Sequence, residues 1–374
     1  MTKDEEIQIL SDEISKAREA YYNLSPVISD FEFDAKLERL KQLRPEHVEV
    51  SNIGAPVPGA SIWEKVKHEI PMGSLNKANS VEEMIEWANK TGNGKYFATH
   101  KIDGSSMELV YKAGKLVRCV TRGDGIIGED VTVNVSKVPT VPKTLPIEID
   151  ATVRGEIVMM KHTFETMYAK EYANPRNTAA AKVREKKNKG EDCKNLDFIA
   201  YGLLKEDAPK TMFYMMIELK NLGFMVPHHG QAGDLDIIKN AFEEIKEERE
   251  EIPYEIDGVV VSMNDLDALA ELGDLNMRPR GQIAWKFDAA ACESRINDVV
   301  WQVGTSGRVS PVAKIEPVNI GGVTISSVSL HNLAMFKGLK LAPNHRILVS
   351  RRGDVIPFIE ANLTEGIIND NVDQ

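Results

Sequence analysis

The step Lys101-Ile102-Asp103-Gly104, flanked by the strand-like runs 95–100 and 106–111, constrains this chain more than any other stretch. A β-strand sends successive side chains to opposite faces, so Lys101 and Asp103 share a face at a strand end. Gly104 then lets a ligand approach the backbone closely. In outline this is a nucleophile pocket. Four such residues also occur together by chance, so their weight depends on the motifs further along the chain.

The surrounding periodicity defines the fold class. Ile7, Leu10, Ile14, Ala17 and Tyr21 recur at spacings of three and four, one face of an amphipathic helix. A second helix is predicted from the candidate N-cap Asp30 through Phe33, Leu37 and Leu40 towards Leu43, stopping before Pro45. Gly54, Pro56, Pro58, Gly59, Pro71 and Gly73 make residues 52–73 a linker and a domain boundary. After a helical stretch at 80–89, β-branched or alternating runs predict strands at 95–100, 106–111, 116–121, 151–159, 197–204, 255–263 and 282–287. Strands mixed with helices but without a βαβ rhythm indicate α+β. Beyond Cys292 short strands at 301–304, 312–315, 323–327 and 346–350, joined by Gly, Ser and Pro turns, suggest a small β-barrel.

A length of 374 residues suits two or three domains, and 42% hydrophobic with 28% charged residues is ordinary for a soluble protein. No apolar run reaches the roughly 20 residues that span a bilayer, and the acidic start 1–6 is unlike a signal peptide, so a cytoplasmic, non-membrane protein is expected. Cys119, Cys193 and Cys292 are too dispersed for a disulfide framework or a cysteine zinc site and are expected as buried thiols. The net charge of -11 argues against indiscriminate polyanion binding. Yet residues 299–356 carry seven cations against Glu316 and Asp354, a basic module suited to controlled nucleic-acid contact or simply a solvated face.

Gly123, Gly125 and Gly128 spell G-x-G-x-x-G, but Val131-Thr132-Val133-Asn134-Val135 and then Pro139 and Pro142 are poor helix material. A dinucleotide fingerprint must open a helix, so the Rossmann reading is set aside. The remaining motifs come in order: Val153-Arg154-Gly155-Glu156-Ile157, Ala173-Asn174-Pro175-Arg176-Asn177, Glu255-Ile256-Asp257-Gly258-Val259-Val260-Val261, Ile283-Ala284-Trp285-Lys286-Phe287, and Gln302-Val303-Gly304-Thr305-Ser306-Gly307-Arg308.

In wording and order these motifs resemble the NAD-dependent DNA ligases of the covalent nucleotidyltransferase superfamily, over nearly the whole chain. The resemblance implies a multidomain α+β protein in three parts. These are a helical domain for the nicotinamide mononucleotide half (1–62), an adenylation domain of antiparallel sheets with helices (63–291) and a C-terminal OB-fold barrel that grips DNA (292–374). It implies NAD and Mg2+ as cofactors, nicked double-stranded DNA as partner and a bacterial or phage-infected cytoplasm as location. Lys101 would attack the α-phosphorus of NAD and carry AMP, with Asp103 orienting the constellation or helping to hold Mg2+. Arg122, Lys286, Glu156, Ile102, Ser74, Leu75, Thr99 and Ser262 would line the nucleotide pocket. Tyr22 and Phe33 would stack on nicotinamide, with Asp30 and Asp34 beside them, although core aromatics and capping acids account for the same residues. Arg176, Arg184, Arg308, Arg351 and Arg352 would contact phosphates. No protein metal ligands are assigned; phosphates and water would hold Mg2+.

The chain departs from the family pattern in four places. Thr99 stands where the family has glutamate two residues before the nucleophile, and Ser262 where it has lysine, so a buried charge pair is replaced by hydroxyls, with His100 a further candidate to serve the base. Asn23 and Phe33 replace histidine and tyrosine. The chain ends with the OB-like region, where relatives continue into zinc-finger and helix-hairpin-helix modules that a second polypeptide would have to supply. The alternatives are a non-catalytic or partner-dependent nick-binding subunit, or a ligase with a different nucleotide donor.

Overall fold

A computed structural model describes residues 3–23, 30–51, 63–92, 94–186, 190–228, 230–287, 291–303, 309–320, 323–330, 333–352 and 356–369. Its contacts divide the chain into two units: residues 53–287, and residues 1–52 with 288–374.

The 53–287 unit is built on two sheets. One has the strand order Asn76–Ala78, Gln282–Lys286, Ile256–Met263, Tyr96–Ile102 and Gly230–Gly233. Its strands are antiparallel except Asn76–Ala78, which runs parallel to Gln282–Lys286. The sheets are antiparallel with helices, as expected, apart from this one edge, and the long excursion between its two strands is what a parallel pair requires. Tyr96, Ala98, Ile102, Val259, Val261, Ile283 and Trp285 pack into one core with residues of the helices Val81–Thr91 and Leu235–Glu247. Phe242 stacks on Trp285 with ring centroids 4.0 Å apart. Because side chains alternate, Thr99, Lys101, Ser262, Gln282 and Lys286 belong to the other face.

The second sheet has the order Lys115–Thr121, Ser105–Lys112, Ala151–Val158 and Asp197–Leu204, all antiparallel. Met107, Leu109, Tyr111, Val153 and Ile157 fill its apolar side. The register sets Ser106 opposite Glu156 and Glu108 opposite Arg154, so its other side is a polar stripe across two strands.

Two readings change. Within the expected linker, residues 52–62 lie outside the described residues, but Lys65–Lys67 forms a strand paired with Ile127–Glu129, so its second half is part of the fold. The glycine-rich stretch is a strand-to-strand turn, not the start of a dinucleotide-binding helix. Gly123 has φ 58° and Gly125 φ 89°, and Asp124 Oδ1 accepts from the N–H groups of Ile126 and Ile127 at 2.8 and 2.7 Å.

In the other unit the helices Lys3–Asn23 and Asp30–Leu43, followed by Val48–Ser51, close over Ile7, Ile14 and Leu40. Arg18 is buried here in an ion pair with Glu49. The C-terminal strands have the order Val323–Ser329, Val309–Ile320, Ala291–Val303, Arg346–Arg352, Ile356–Asn362 and Ile367–Ile368, all antiparallel. Ala291–Val303 spans 13 residues, far longer than the sequence suggested, because charged residues such as Glu293 and Arg295 occupy its exposed positions and mask the run. Ile356–Asn362, Ile367–Ile368 and the short helix Leu333–Gly338 were not anticipated. Cys119 and Cys193 are buried, whereas Cys292 is only half-buried. Among the described residues no helix is long and apolar enough to cross a membrane.

A Cβ on Gly123 would lie 1.9 Å from the carbonyl oxygen of Ile127, in a backbone conformation that already disfavours side chains. Gly92, at φ 85°, has open space around it. Gly123→Ala is therefore expected to cost about 2–4 kcal/mol in urea unfolding, and Gly92→Ala about 1 kcal/mol. Equal costs would mean that contact with Ile127 does not set the turn.

Candidate nucleotide-transfer site

Lys101 is the last but one residue of its strand, and the neighbouring strand brings Asp257 to it. Ile102 pairs with Ile256, so the two Ile-Asp-Gly steps, 102–104 and 256–258, meet at adjacent strand ends. Between Ile256 and Val259 the register shifts, an irregularity that re-aims Asp257. Its carboxylate accepts from Lys101 Nζ at 2.7 and 2.9 Å and also from Lys286 Nζ. The Lys101, Lys286 and Asp257 side chains are 24%, 22% and 18% exposed, so solvent screens them poorly.

This constellation biases the charges of its members. Burial holds the Lys101 ammonium below the ordinary lysine value, Asp257 opposes that shift, and the charge of Lys286 reinforces it. Burial alone would raise Asp257, but the two ammonium groups outweigh it and hold the carboxyl far below the usual range. The result is an amine primed for deprotonation beside a fixed cation, able to attack an electrophile that carries negative charge.

Asp103 lies just beyond the strand and takes a 2.6 Å hydrogen bond from Arg176. Arg176 is in the first turn of the helix Pro175–Val183, whose N-cap Asn174 accepts from the N–H of Asn177. Lys101 and Asp103 thus make hydrogen bonds to different side chains, and the carboxylate that accepts from Lys101 is Asp257. The sequence motif 255–261 contains it, but sequence reading assigned it no role, although the repeated Ile-Asp-Gly was a visible signal.

The second sheet supplies Glu156. Its Oε1 accepts from Ser106 Oγ at 2.7 Å and Tyr201 OH at 3.2 Å, while buried Oε2 has no hydrogen-bond partner among the described residues. Burial raises its pKa, against the Ser106 hydrogen bond and the charges of Arg122, Arg176 and Lys101. A buried oxygen with spare acceptor capacity suits a ligand hydroxyl. Beside it His68 Nδ1 lies 3.0 Å from Glu108, and Nε2 lies 3.2 Å from the carbonyl of Arg122. Arg154 NH2 also reaches Glu108 at 2.9 Å. Despite burial, His68 and Arg154 hold the Glu108 carboxyl below the usual range. The cluster fixes the start of the Arg122–Gly125 turn, and sequence reading missed His68, Glu108, Ser106 and Tyr201 as its members.

On the five-stranded sheet, at the far end of the face that carries Lys101, Ser262 is fully buried, and its Oγ accepts from Gln282 Nε2 at 2.9 Å. Thr99 is 4% exposed and opposite Val260, diagonal to Ser262. His100 is on the other face, 2.9 Å from Tyr254 OH, so it does not join Thr99 and Ser262 as was suggested. Ser74 and Leu75 lie immediately before the edge strand, where Gly73 packs against the Met277 backbone.

Other predicted residues stand apart. Arg184 Nε is paired with buried Glu129 at 2.9 Å. The guanidinium of Arg18 covers the ring of Phe33 at 5.3 Å. The side chains of Tyr22, Asn23, Asp30, Asp34, Arg351 and Arg352, and the whole of Arg308, lie outside the described residues. Among the described residues no three His, Cys, Asp or Glu side chains could hold a metal ion. Asp257 and Asp103 are already matched to cations, so this donor set is not a ready Mg2+ cage.

The family profile of the NAD-dependent DNA ligase adenylation domain matches residues 60–290, and that of the NAD-dependent DNA ligase OB-fold domain matches residues 293–369. A DNA ligase of Sorangium cellulosum is 36% identical over 387 residues, covering 95% of this chain and 56% of its own length. DNA ligases of Natranaerobius thermophilus and Oleidesulfovibrio alaskensis are 35% and 38% identical, over 96% and 91% of this chain and 58% and 52% of their own. The chain spans a little over half the length of these relatives.

Competitive acetylation across pH, read by peptide mass, is expected to give Lys101 a midpoint below that of exposed lysines. Lys286→Gln should move that midpoint up and Asp257→Asn should move it down, because each removes the charge that acts in the other direction. Unchanged midpoints in both variants would rule out this charge balance.

Proposed function

The chain belongs to the NAD-dependent DNA ligase family, and we propose that it seals 5′-phosphate/3′-hydroxyl nicks in duplex DNA through an AMP carried on Lys101. The observation that supports this reading is the Lys101–Asp257–Lys286 constellation, with the Glu156 carboxyl and its spare oxygen close enough to Lys101 to feel its charge. Deprotonated Lys101 Nζ attacks the α-phosphorus of NAD. The N–P bond forms, the pyrophosphate P–O bond breaks, and nicotinamide mononucleotide leaves. Asp257 aims Nζ by its two hydrogen bonds, and Lys286 and Arg122 offset the charge that develops on the phosphoryl oxygens. Glu156 Oε2 accepts from a ribose hydroxyl, and Asp103 positions Arg176 for phosphate. AMP then passes to the 5′-phosphate of a nick, and the 3′-hydroxyl displaces it.

Among the described residues no cage of side chains suits Mg2+, and in this reading phosphate oxygens and water would hold it. The helical part, with Tyr22, Asp30, Phe33 and Asp34, takes the mononucleotide half of NAD. The barrel, with Arg308, Arg351 and Arg352, grips phosphates. Arg184 is a weaker candidate for DNA, since Glu129 already holds it. The setting proposed is the bacterial cytoplasm. A non-catalytic nick-binding subunit would have no use for a nucleophile so held.

Intact mass after incubation with NAD or with ATP tests the donor: one AMP is expected from NAD alone. An adduct from ATP would overturn the NAD assignment, and none from either would overturn the catalytic reading. Raising salt should depress nick sealing more steeply than self-adenylation, because only DNA binding releases condensed counterions; equal slopes would count against DNA contact by the barrel.

Thr99→Glu is expected to cut self-adenylation at least about tenfold by burying an unmatched carboxylate. Adding Ser262→Lys should recover most of it, since diagonal positions are within reach of long side chains. Full activity in the single variant would contradict this reading of the two hydroxyls.

A further inference from the structure

The strand Gln282–Lys286 carries the phosphate-side cation at one end and an uncharged amide at the other. Ile283 and Trp285 point into the apolar core, so Gln282, Ala284 and Lys286 share the face of Lys101. Gln282 is four residues from Lys286, about 13 Å along a strand, the scale of a nucleoside monophosphate stretched from phosphate to base edge. Its Nε2 donates to Ser262 Oγ, while its Oε1 takes no hydrogen bond from the described residues. Ser262 is fully buried, and Thr99 beside it is 4% exposed.

We propose that Gln282, seated on Ser262, reads the purine edge of the dinucleotide with reversible polarity, so that this chain takes nicotinamide hypoxanthine dinucleotide as well as NAD. The inference rests on the ligase reading above and extends it to a residue and a substrate outside that reading.

Adenine offers a donor at its 6-amino group beside an acceptor at N1, and hypoxanthine offers the reverse, an acceptor at O6 beside a donor at N1. A carboxamide carries one end of each kind in nearly identical shape, so rotation about its last bond matches it to either base. What usually forbids such a rotation is the partner left unpaired behind it. Here that partner is a hydroxyl, which accepts from Nε2 in one orientation and donates to Oε1 in the other. Buried Ser262 is therefore satisfied both ways, and neither base strands a buried polar group. A charged residue at this place would fix the polarity; Gln282, Ser262 and Thr99 carry no charge.

The test is single-turnover self-nucleotidylation of the full chain with NAD or with nicotinamide hypoxanthine dinucleotide freed of NAD. Peptide mass identifies AMP or IMP on the protein. Sites with fixed hydrogen-bond polarity reject the wrong partner by roughly 10^4-fold, so the dividing line is set at about a hundredfold in kcat/KM. A preference for NAD below that line is expected, and one above it would overturn the proposal. Gln282→Leu and Gln282→Met, checked by urea unfolding, should each raise KM for both dinucleotides at least about tenfold with kcat little changed, as loss of ground-state binding requires. Unchanged KM in both variants would also overturn it. Adduct from NAD but not from the hypoxanthine analogue defeats this inference alone, whereas no adduct from NAD defeats the ligase reading and this inference with it.

Discussion

A single carboxylate between two ammonium groups holds the site together. Asp257 would be costly to bury as an anion, and Lys101 and Lys286 as cations, yet together they lower one another's cost while leaving a net positive charge. That residual charge is useful: it favours an incoming phosphate and makes Lys101 easier to deprotonate. The sheet exists in register with this demand. Pairing of Ile102 with Ile256, and the irregularity before Val259, carry Asp257 to Lys101, while Gly258 opposite Lys286 brings in the second lysine.

The opposite side of the strand does different work. Tyr96, Ala98 and Ile102 lock it onto the helices Val81–Thr91 and Leu235–Glu247, so the reactive face is presented by rigid backbone. The second sheet repeats the division, apolar behind and polar in front, with Glu156 aimed by Ser106 and Tyr201 and the Arg122 turn pinned by His68. Across the unit, polar side chains that engage one another have little freedom. Among the described residues, Glu156 Oε2 and Gln282 Oε1 are two of the side-chain atoms in the unit that take no hydrogen bond.

Much of this was legible in the sequence wherever the signal is local. Alternation located the strands around Lys101, and 197–204 to the residue. The stretch after Gly128, read as poor helix material, does form one helical turn, Thr132–Val135, but the strand Ile127–Glu129 stands between it and the glycine turn, so no dinucleotide-binding helix opens there. Signals that depend on pairing were not legible. Asp257 is 156 residues from Lys101, and the repeated Ile-Asp-Gly hints at a likeness between the two steps without saying that their strands pair. Asp103, adjacent in sequence, was the natural partner to choose, and the strand ends before it. Lys65–Lys67 read as linker because three residues are too few for periodicity, and the long barrel strand was hidden by its exposed charges. Thr99 and Ser262 stood out as departures, but Gln282 became meaningful only once the register set it against Ser262.

The most direct test of the account is the site of nucleotide attachment. After incubation with NAD, peptide mapping of the wild-type chain should find AMP on the peptide containing Lys101, with none in Lys101→Ala and a slowed rate in Asp257→Asn. AMP on another residue, or retained in Lys101→Ala, would show that the Lys101–Asp257–Lys286 constellation is a structural charge cluster and not the centre of the chemistry.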